Sequence, residues 1–224
     1  MTKAIVIPVF NESSRIGLLL EELSKIKIDV FVVDDCSSDK TSEIIKKYAK
    51  KNPHLFLLKH SINLGKGAAL RTGCDAAFES GADSVIVMDG DGQHDPSDIT
   101  LFTQALDSGS YDIIFGSRNY NLSVPFVRFA GNKIASVLIS LLFGIYVSDS
   151  VCGFRAFTKK SYGKILWQSQ GYGIEVEMII KSSKAKLKFK EVPIKAVYHD
   201  RTKGVTIMDG FAIFFDILKW RLTI

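Results

Sequence analysis

The sequence predicts an α/β fold with a mostly parallel central sheet covered by helices on both faces, and three observations carry that reading. Short apolar, β-branched runs alternate with longer helical patterns through the first half of the chain, as βαβ units require. Polar clusters follow the runs directly, at what would be the carboxyl ends of strands. At 224 residues and 46% hydrophobic content, the chain is long enough to bury a substantial core.

The runs are AIVIPVF, VFVVDD, LFLL, VIVM and DIIFG, with helical patterns over 14–25, 40–51, 66–80 and 98–108 between and after them. Asn11 and Glu12 follow the first run, Asp34 and Asp35 end the second, Asp89 and Asp91 follow the fourth, and Ser117 and Arg118 follow the fifth. Four such clusters on one sheet edge point to a ligand rather than to independent surface turns. The second half reads as a long apolar helix over 133–147, a Gly-Phe-Arg turn at 153–155, a helix near 175–186, and a strand in LKFKEVPIKAVYH. The apolar stretch 134–147 is too short for a helix crossing a bilayer, which needs about 20 residues, so it is a core helix or one lying at a membrane surface. No linker, low-complexity tract or repeat divides the chain. The expected organisation is one domain over 1–204 followed by an amphipathic helix over 205–224. In that last segment Ile207, Phe211, Phe214 and Leu218 share one face, flanked by Met208 and Phe215, while Asp209, Asp216 and Lys219 fall away from it. Such a helix packs on the sheet, across a homodimer contact, or into a membrane surface with Trp220 and Arg221 at the head-group edge.

A net charge of +5 and a pI near 9.0 favour anionic partners. The N-terminus lacks the pattern of a secretory signal, so a cytoplasmic location is expected. Cys36, Cys74 and Cys152 are far apart and form no CxxC pair, which argues against a disulfide framework and a structural zinc site.

The segment DGDGQHDPSD, residues 89–98, carries the most chemistry. As a calcium loop it fails, because the sixth position has His94 where glycine is needed and the twelfth has Thr100 where glutamate is needed. Asp95 fits a helix cap with Pro96 behind it, but that leaves Asp89 and Asp91 as two like charges at a strand end, in need of a cation beside them. A hard divalent ion shared with a diphosphate would supply it. His94 contacts the backbone or substrate, and its spacing to His60 and His199 supports no transition-metal site. One of Asp34 and Asp35 is free to accept from a base N–H or a ribose hydroxyl, with capping of the next helix left to Ser38 or Asp39. NLGKGAALRTG lacks Walker spacing and no GxGxxG follows the first run, so neither a P-loop nor an ordinary dinucleotide site is supported. Lys66 and Arg71 either reach a phosphate or lie on a solvated helix face.

With these residues in view, the sequence resembles the family 2 glycosyltransferases, in particular the dolichyl-phosphate mannose and glucose synthase-like branch. The matching blocks, IPVFNE, VVDDCSSDKT, NLGKGAALRTG, MDGDGQHDP, GSRNY, SVCGFRAF, YGIEVEM and HDRTKG, run in family order from residue 5 to about 205. The resemblance implies a GT-A, Rossmann-like fold, a nucleotide-diphosphate sugar donor such as GDP-mannose or UDP-glucose, and Mg2+ or Mn2+. It implies that Pro8, Phe10, Glu12, Val33 and Asp35 surround the base and ribose, Phe10 replacing the family's usual tyrosine. Asp89, Gly90 and Asp91 would form the donor loop, with Lys66 beside it and Asp91 and Gln93 as metal ligands. Arg118 and Arg201 would face the diphosphate or acceptor phosphate, with Arg128 and Lys133 as further candidates for a lipid phosphate. Arg155 and Glu175 or Glu177 align with the acceptor side, Glu177 being either catalytic or the partner of an arginine.

The implied reaction is a single displacement with inversion, transferring mannose or glucose to a polyprenyl phosphate at the cytosolic face of a membrane, with no role for nucleic acid. A hydroxyl acceptor would instead need a carboxylate base, for which Glu175, Glu177 and Asp149 are the choices. A non-catalytic nucleotide-binding protein is the reading from another class. A nucleotidyltransferase would carry a Gly-rich basic loop after the first strand, which IPVFNESSR is not.

Overall fold

The computed structural model describes residues 1–118, 126–171, 173–195 and 207–223. Its centre is a seven-stranded sheet in the order β3-β2-β1-β4-β6-β5-β7. The strands are β1 (Lys3–Val9), β2 (Asp29–Asp34), β3 (Leu55–Lys59), β4 (Ser84–Val87), β5 (Ile113–Arg118), β6 (Arg155–Thr158) and β7 (Phe189–Ile194). All neighbouring pairs are parallel except those of β6, which runs antiparallel to both β4 and β5. The helices are α1 (Ile16–Leu23), α2 (Thr41–Ala49), α3 (Lys66–Glu79), α4 (Ile99–Asp107), α5 (Phe126–Phe143), α6 (Lys159–Ile165), α7 (Ile174–Lys184) and α8 (Ile207–Thr223).

β1 shows why its sequence reads as one apolar run. Ala4 and Val6 belong to the core layer under α3 and α7, whereas Ile5, Ile7 and Val9 belong to the layer under α1 and α4. Alternate residues point to opposite faces, and both faces are covered, so apolar residues are needed at every position. Pro8 is tolerated in this central strand because its missing N–H faces β4. Pairing with β4 ends at Val6–Val87, while β2 continues alongside to Val9–Asp34.

Strand β6 was not legible as a strand in the sequence, where 153–155 reads as a turn. It has only four residues and opens on a charged one. Arg155 is nonetheless 1% exposed. Its guanidinium donates to the carbonyls of Cys152 (2.9 Å), Ser150 (3.0 Å) and Glu175 (2.6 Å) and lies over the Phe115 ring, 5.0 Å from its centroid. A buried charge satisfied by three carbonyls is a structural tie between β6 and α7. It is not a contact on the acceptor side.

The last helix also differs from expectation in its face. Ile213, Ile217 and Trp220 are buried, and α8 packs on α5 and α7. Phe214 and Leu218, on the stripe expected either to pack or to enter a membrane surface, are exposed along with Phe215 and Leu222. Trp220 reaches inward to Gly173 at the start of α7, away from the head-group position the sequence suggested. Among the described residues, no helix is long and apolar enough to cross a membrane.

Candidate active site

The carboxyl ends of β1, β2, β4 and β5 meet on one edge, as the polar clusters predict. After β1, Asn11 takes a left-handed φ of 55°, and after β2 Cys36 takes one of 64°. These are two of the three non-glycine residues with positive φ among the described residues, and such strain gathers at functional edges. The two turns are tied together: Asn11 N–H donates to Ser37 Oγ (2.9 Å), and Asn11 Oδ1 accepts from Ser38 N–H (2.9 Å). Asp39 accepts from Thr41 N–H (3.0 Å) and Ser13 N–H (3.1 Å), so it serves the start of α2. Pro8 and Val33 are buried partners in register and form the floor here. Phe10 is 46% exposed, its ring available for stacking. Glu12 uses its carbonyl to accept from Arg15 and Ile16 at the start of α1, and its side chain pairs with Arg15 at 4.0 Å.

Both aspartates after β2 have protein partners. Asp34 is fully buried and accepts from Ser37 N–H (2.9 Å) and Ser42 Oγ. Asp35, 3% exposed, accepts from Leu64 N–H (2.9 Å), Gly65 N–H (2.7 Å) and His60 Nδ1 (2.7 Å). Its oxygens therefore anchor the segment that leads into α3. His60, absent from the expected site, is the residue that completes this anchor; no sequence signal marked it.

The loop after β4 is closed upon itself. His94 Nδ1 accepts from Asp89 N–H (3.2 Å), and Asp91 Oδ1 accepts from Gln93 N–H (3.0 Å). His94 is 5% exposed, against Phe154. Burial pushes its pKa down despite the nearby Asp89 and Asp91, which matches an unprotonated Nδ1 acting as acceptor. His94 is thus a latch on the loop. Asp95 accepts from Ser97 N–H (2.9 Å), as expected of a cap before Pro96. Gly90 rests on β1, where a Cβ would lie 2.4 Å from Val9 Cγ1.

The cation beside Asp89 is Lys66. Its Nζ lies 2.6 Å from Asp89 Oδ1 and 2.7 Å from Glu175 Oε1 at the start of α7. Burial alone would lower the ammonium's pKa, but Asp89 and Glu175 hold it well above the usual lysine range. For Asp89, burial is likewise outweighed, chiefly by Lys66 and then by His94, and its carboxyl stays below its ordinary value. Among the described residues Asp91 forms no such ion pair: burial, then repulsion from Asp89, push its carboxyl up, with the Gln93 N–H, His94 and Lys66 as partial offsets. Among the described residues, no group of three His, Cys, Asp or Glu is placed to hold a metal. The set at hand is the Asp91 carboxylate, which pairs with no cation among the described residues, and the Gln93 amide. Hard oxygen donors in so small a number suit Mg2+ or Mn2+ when a diphosphate supplies the remaining oxygens.

At the end of β5, Arg118 is clamped to Asp149, with Nε 2.6 Å from Oδ2 and Nη2 2.9 Å from Oδ1. Asp149 is fully buried and also accepts from Arg118 N–H (3.2 Å) and Asn132 Nδ2 (2.9 Å). A carboxylate so engaged is a mount for Arg118 and no reservoir for a proton. Glu177 is 1% exposed and accepts from Gln168 N–H (2.9 Å), Ser169 N–H (2.9 Å) and Ser169 Oγ (2.6 Å), with Lys181 at 2.7 Å. Burial would raise its pKa, but Lys181, Ser169 and Gln168 hold it below the usual range. Its oxygens hold the 168–169 loop, and its partner is a lysine, not an arginine. Lys133 Nζ donates to the Ser148 carbonyl (2.8 Å). Arg201 and the Arg128 side chain lie outside the described residues.

Comparison with known proteins agrees with this architecture. Residues 4–166 match the family described as Glycosyl transferase family 2. A UDP-N-acetylglucosamine–dolichyl-phosphate N-acetylglucosaminyltransferase of Methanococcus voltae is 33% identical over 97% of this chain and 95% of its own length. An undecaprenyl-phosphate mannosyltransferase of Micrococcus luteus is 28% identical over 97% of this chain and 93% of its own. Among solved structures, glucosyl-3-phosphoglycerate synthase of Mycobacterium tuberculosis, in complex with Mn2+, UDP and phosphoglyceric acid, superposes with a TM-score of 0.75 at 15% identity, covering 98% of this chain and 78% of that one. The likeness identifies the GT-A fold.

Proposed function

The chain belongs to glycosyl transferase family 2, and from that premise we propose that it transfers a sugar from a nucleoside diphosphate sugar to a polyprenyl phosphate, by one inverting displacement. The observation that carries the choice of acceptor is the state of the three carboxylates offered as bases. Asp149 is clamped by Arg118, Glu175 is paired with Lys66, and Glu177 is filled by N–H and O–H donors and Lys181. None is poised to take a proton from a hydroxyl. A phosphate oxygen is already anionic at neutral pH and needs no base. The lipid phosphates in the printed names of the Methanococcus and Micrococcus relatives support the same class of acceptor.

Phe10 stacks on the base, above the floor of Pro8 and Val33, and Asp35 holds the segment through Gly65 that borders it. A divalent Mg2+ or Mn2+ would neutralise charge on the departing nucleoside diphosphate, held by Asp91 and Gln93. Arg118, oriented by Asp149, serves the diphosphate or acceptor phosphate in this reading, and Arg201 joins it. The sugar is a hexose or an N-acetylated hexose, since the relatives are named for N-acetylglucosamine and mannose.

The reading includes peripheral attachment at the cytosolic face of a membrane. It is supported by Ile134, Val137 and Leu141 on α5 and Phe215 and Leu222 on α8, which are exposed on two helices in mutual contact, with Lys219 and Arg221 beside them. The test is incubation with a panel of nucleotide sugars and Mn2+ or Mg2+, with and without polyprenyl phosphate in anionic vesicles, followed by mass spectrometry of the lipid fraction. A glycosylated lipid phosphate is expected, as is flotation of the protein with the vesicles. Transfer only to a soluble saccharide, or no transfer from any donor, would overturn the reading.

A further inference from the structure

Lys66 is held in place more firmly than a side chain on a solvated helix face. Gly67 N–H donates to the Gln170 carbonyl (3.0 Å), and Trp167 Nε1 donates to the Gly67 carbonyl (2.9 Å). A Cβ on Gly67 would lie 2.1 Å from the Ser169 carbonyl oxygen, so only glycine allows this contact. The backbone around Lys66 is thus fastened to the 167–170 segment, and the ammonium has two carboxylates to satisfy, one of them, Glu175, 4% exposed.

We propose that Lys66 is a built-in counter-cation that keeps Asp89 from a divalent ion until a nucleoside diphosphate is bound, so that metal and nucleotide bind as a strongly coupled pair. The inference rests on the metal–diphosphate reading above. The ammonium occupies an Asp89 oxygen two residues from Asp91, so Asp89 would not be open to a metal held by Asp91 and Gln93, and the ammonium's charge would repel a divalent ion there. Asp91 and Gln93 remain, and a hard cation on one carboxylate and one amide would keep most of its waters and bind weakly. A diphosphate adds oxygen ligands and negative charge, which offset the ammonium and raise the metal's affinity. By linkage, the metal raises the nucleotide's affinity by the same factor. Glu175 shares the ammonium with Asp89, so removing Glu175 concentrates the lysine on Asp89, whereas removing Lys66 releases Asp89.

The test is Mn2+ titration of the full chain, read by calorimetry or by the paramagnetic signal of free Mn2+, without nucleotide and with saturating UDP or GDP, whichever raises the affinity more. The unaltered protein is expected to bind Mn2+ at least about tenfold more tightly with nucleotide, within the usual range of coupling. Lys66→Met is expected to bind Mn2+ alone about tenfold more tightly than the unaltered protein and to lose a similar factor of coupling. Lys66→Met with Glu175→Gln does the same without leaving the Glu175 carboxylate buried and unpaired, which guards against a folding defect. Lys66→Arg retains the coupling, and Glu175→Gln alone binds Mn2+ no more tightly than the unaltered chain. A role of Lys66 as a mere brace, or as a phosphate ligand only, would leave Mn2+ affinity without nucleotide unchanged or lower in both methionine variants, and that result overturns the inference while the metal reading stands. If the unaltered chain binds no Mn2+ with either nucleotide, the metal reading itself falls and the inference with it.

Discussion

At the end of β4, Asp89 and Asp91 stand one residue apart and, among the described residues, only the first is ion-paired, with a lysine; at the end of β5, Arg118 and Asp149 meet in a bidentate clamp. The difference separates two ways of handling charge on one sheet edge. The donor side keeps an excess carboxylate, Asp91, whose pKa is pushed up by burial and by Asp89, so it is left wanting a cation. The β5 end, which we propose faces the acceptor, pairs its buried carboxylate with an arginine. In the proposed reading the first arrangement recruits a cation, and the second fixes an arginine beside an anionic substrate.

Breaking the balanced side is expected to have the largest effect. Asp149→Ala strands Arg118 beside a buried void and is predicted to destabilise the fold by about 3–5 kcal/mol, measured by denaturant unfolding. Breaking the unbalanced side should leave the fold intact and remove function. Asp91→Asn is expected to lower metal-dependent turnover by at least about a hundredfold with little change in thermal midpoint. The contrast sharpens at Glu177, which resembles Asp149 in being fully engaged: Glu177→Gln should cost about 1–3 kcal/mol of stability at neutral pH. Because the folded pKa of Glu177 lies below its ordinary value of 4.5, that stability is present above about that pH and is lost as pH falls through the folded value. The variant should therefore show a flatter stability profile in acid. The smallest effect belongs to Asp91 and pH. Its raised pKa means that it takes up a proton at a higher pH than an ordinary carboxylate. Mn2+ binding with nucleotide should weaken on acidification before the fold responds, and Asp91→Asn should lack that weakening.

How much of this was legible in the sequence follows the same division between local and distant chemistry. Strands β1 to β5 announced themselves as apolar runs because both faces of the sheet are covered, and the polar residues after them marked the edge. The cap at Asp95 was legible because its partner, Ser97, is two residues away. The partner of Lys66 was not, since Glu175 lies 109 residues along the chain. Nor was β6, four residues whose leading arginine is buried by carbonyls that only the tertiary fold brings together. The face of α8 was misjudged for a related reason. Apolar residues surround much of that helix, so periodicity alone did not distinguish Ile213, Ile217 and Trp220, which pack, from Phe214 and Leu218, which are exposed.

In the proposed reaction the acceptor brings its own negative charge, because Asp149, Glu175 and Glu177 are already engaged. The most direct measurement offers the enzyme one active nucleotide sugar together with vesicles containing either a polyprenyl phosphate or the matching polyprenol, and counts sugar in the lipid fraction. Transfer to the phosphate and none to the alcohol is expected; comparable transfer to the polyprenol would mean that a base is at work and would overturn the proposed acceptor.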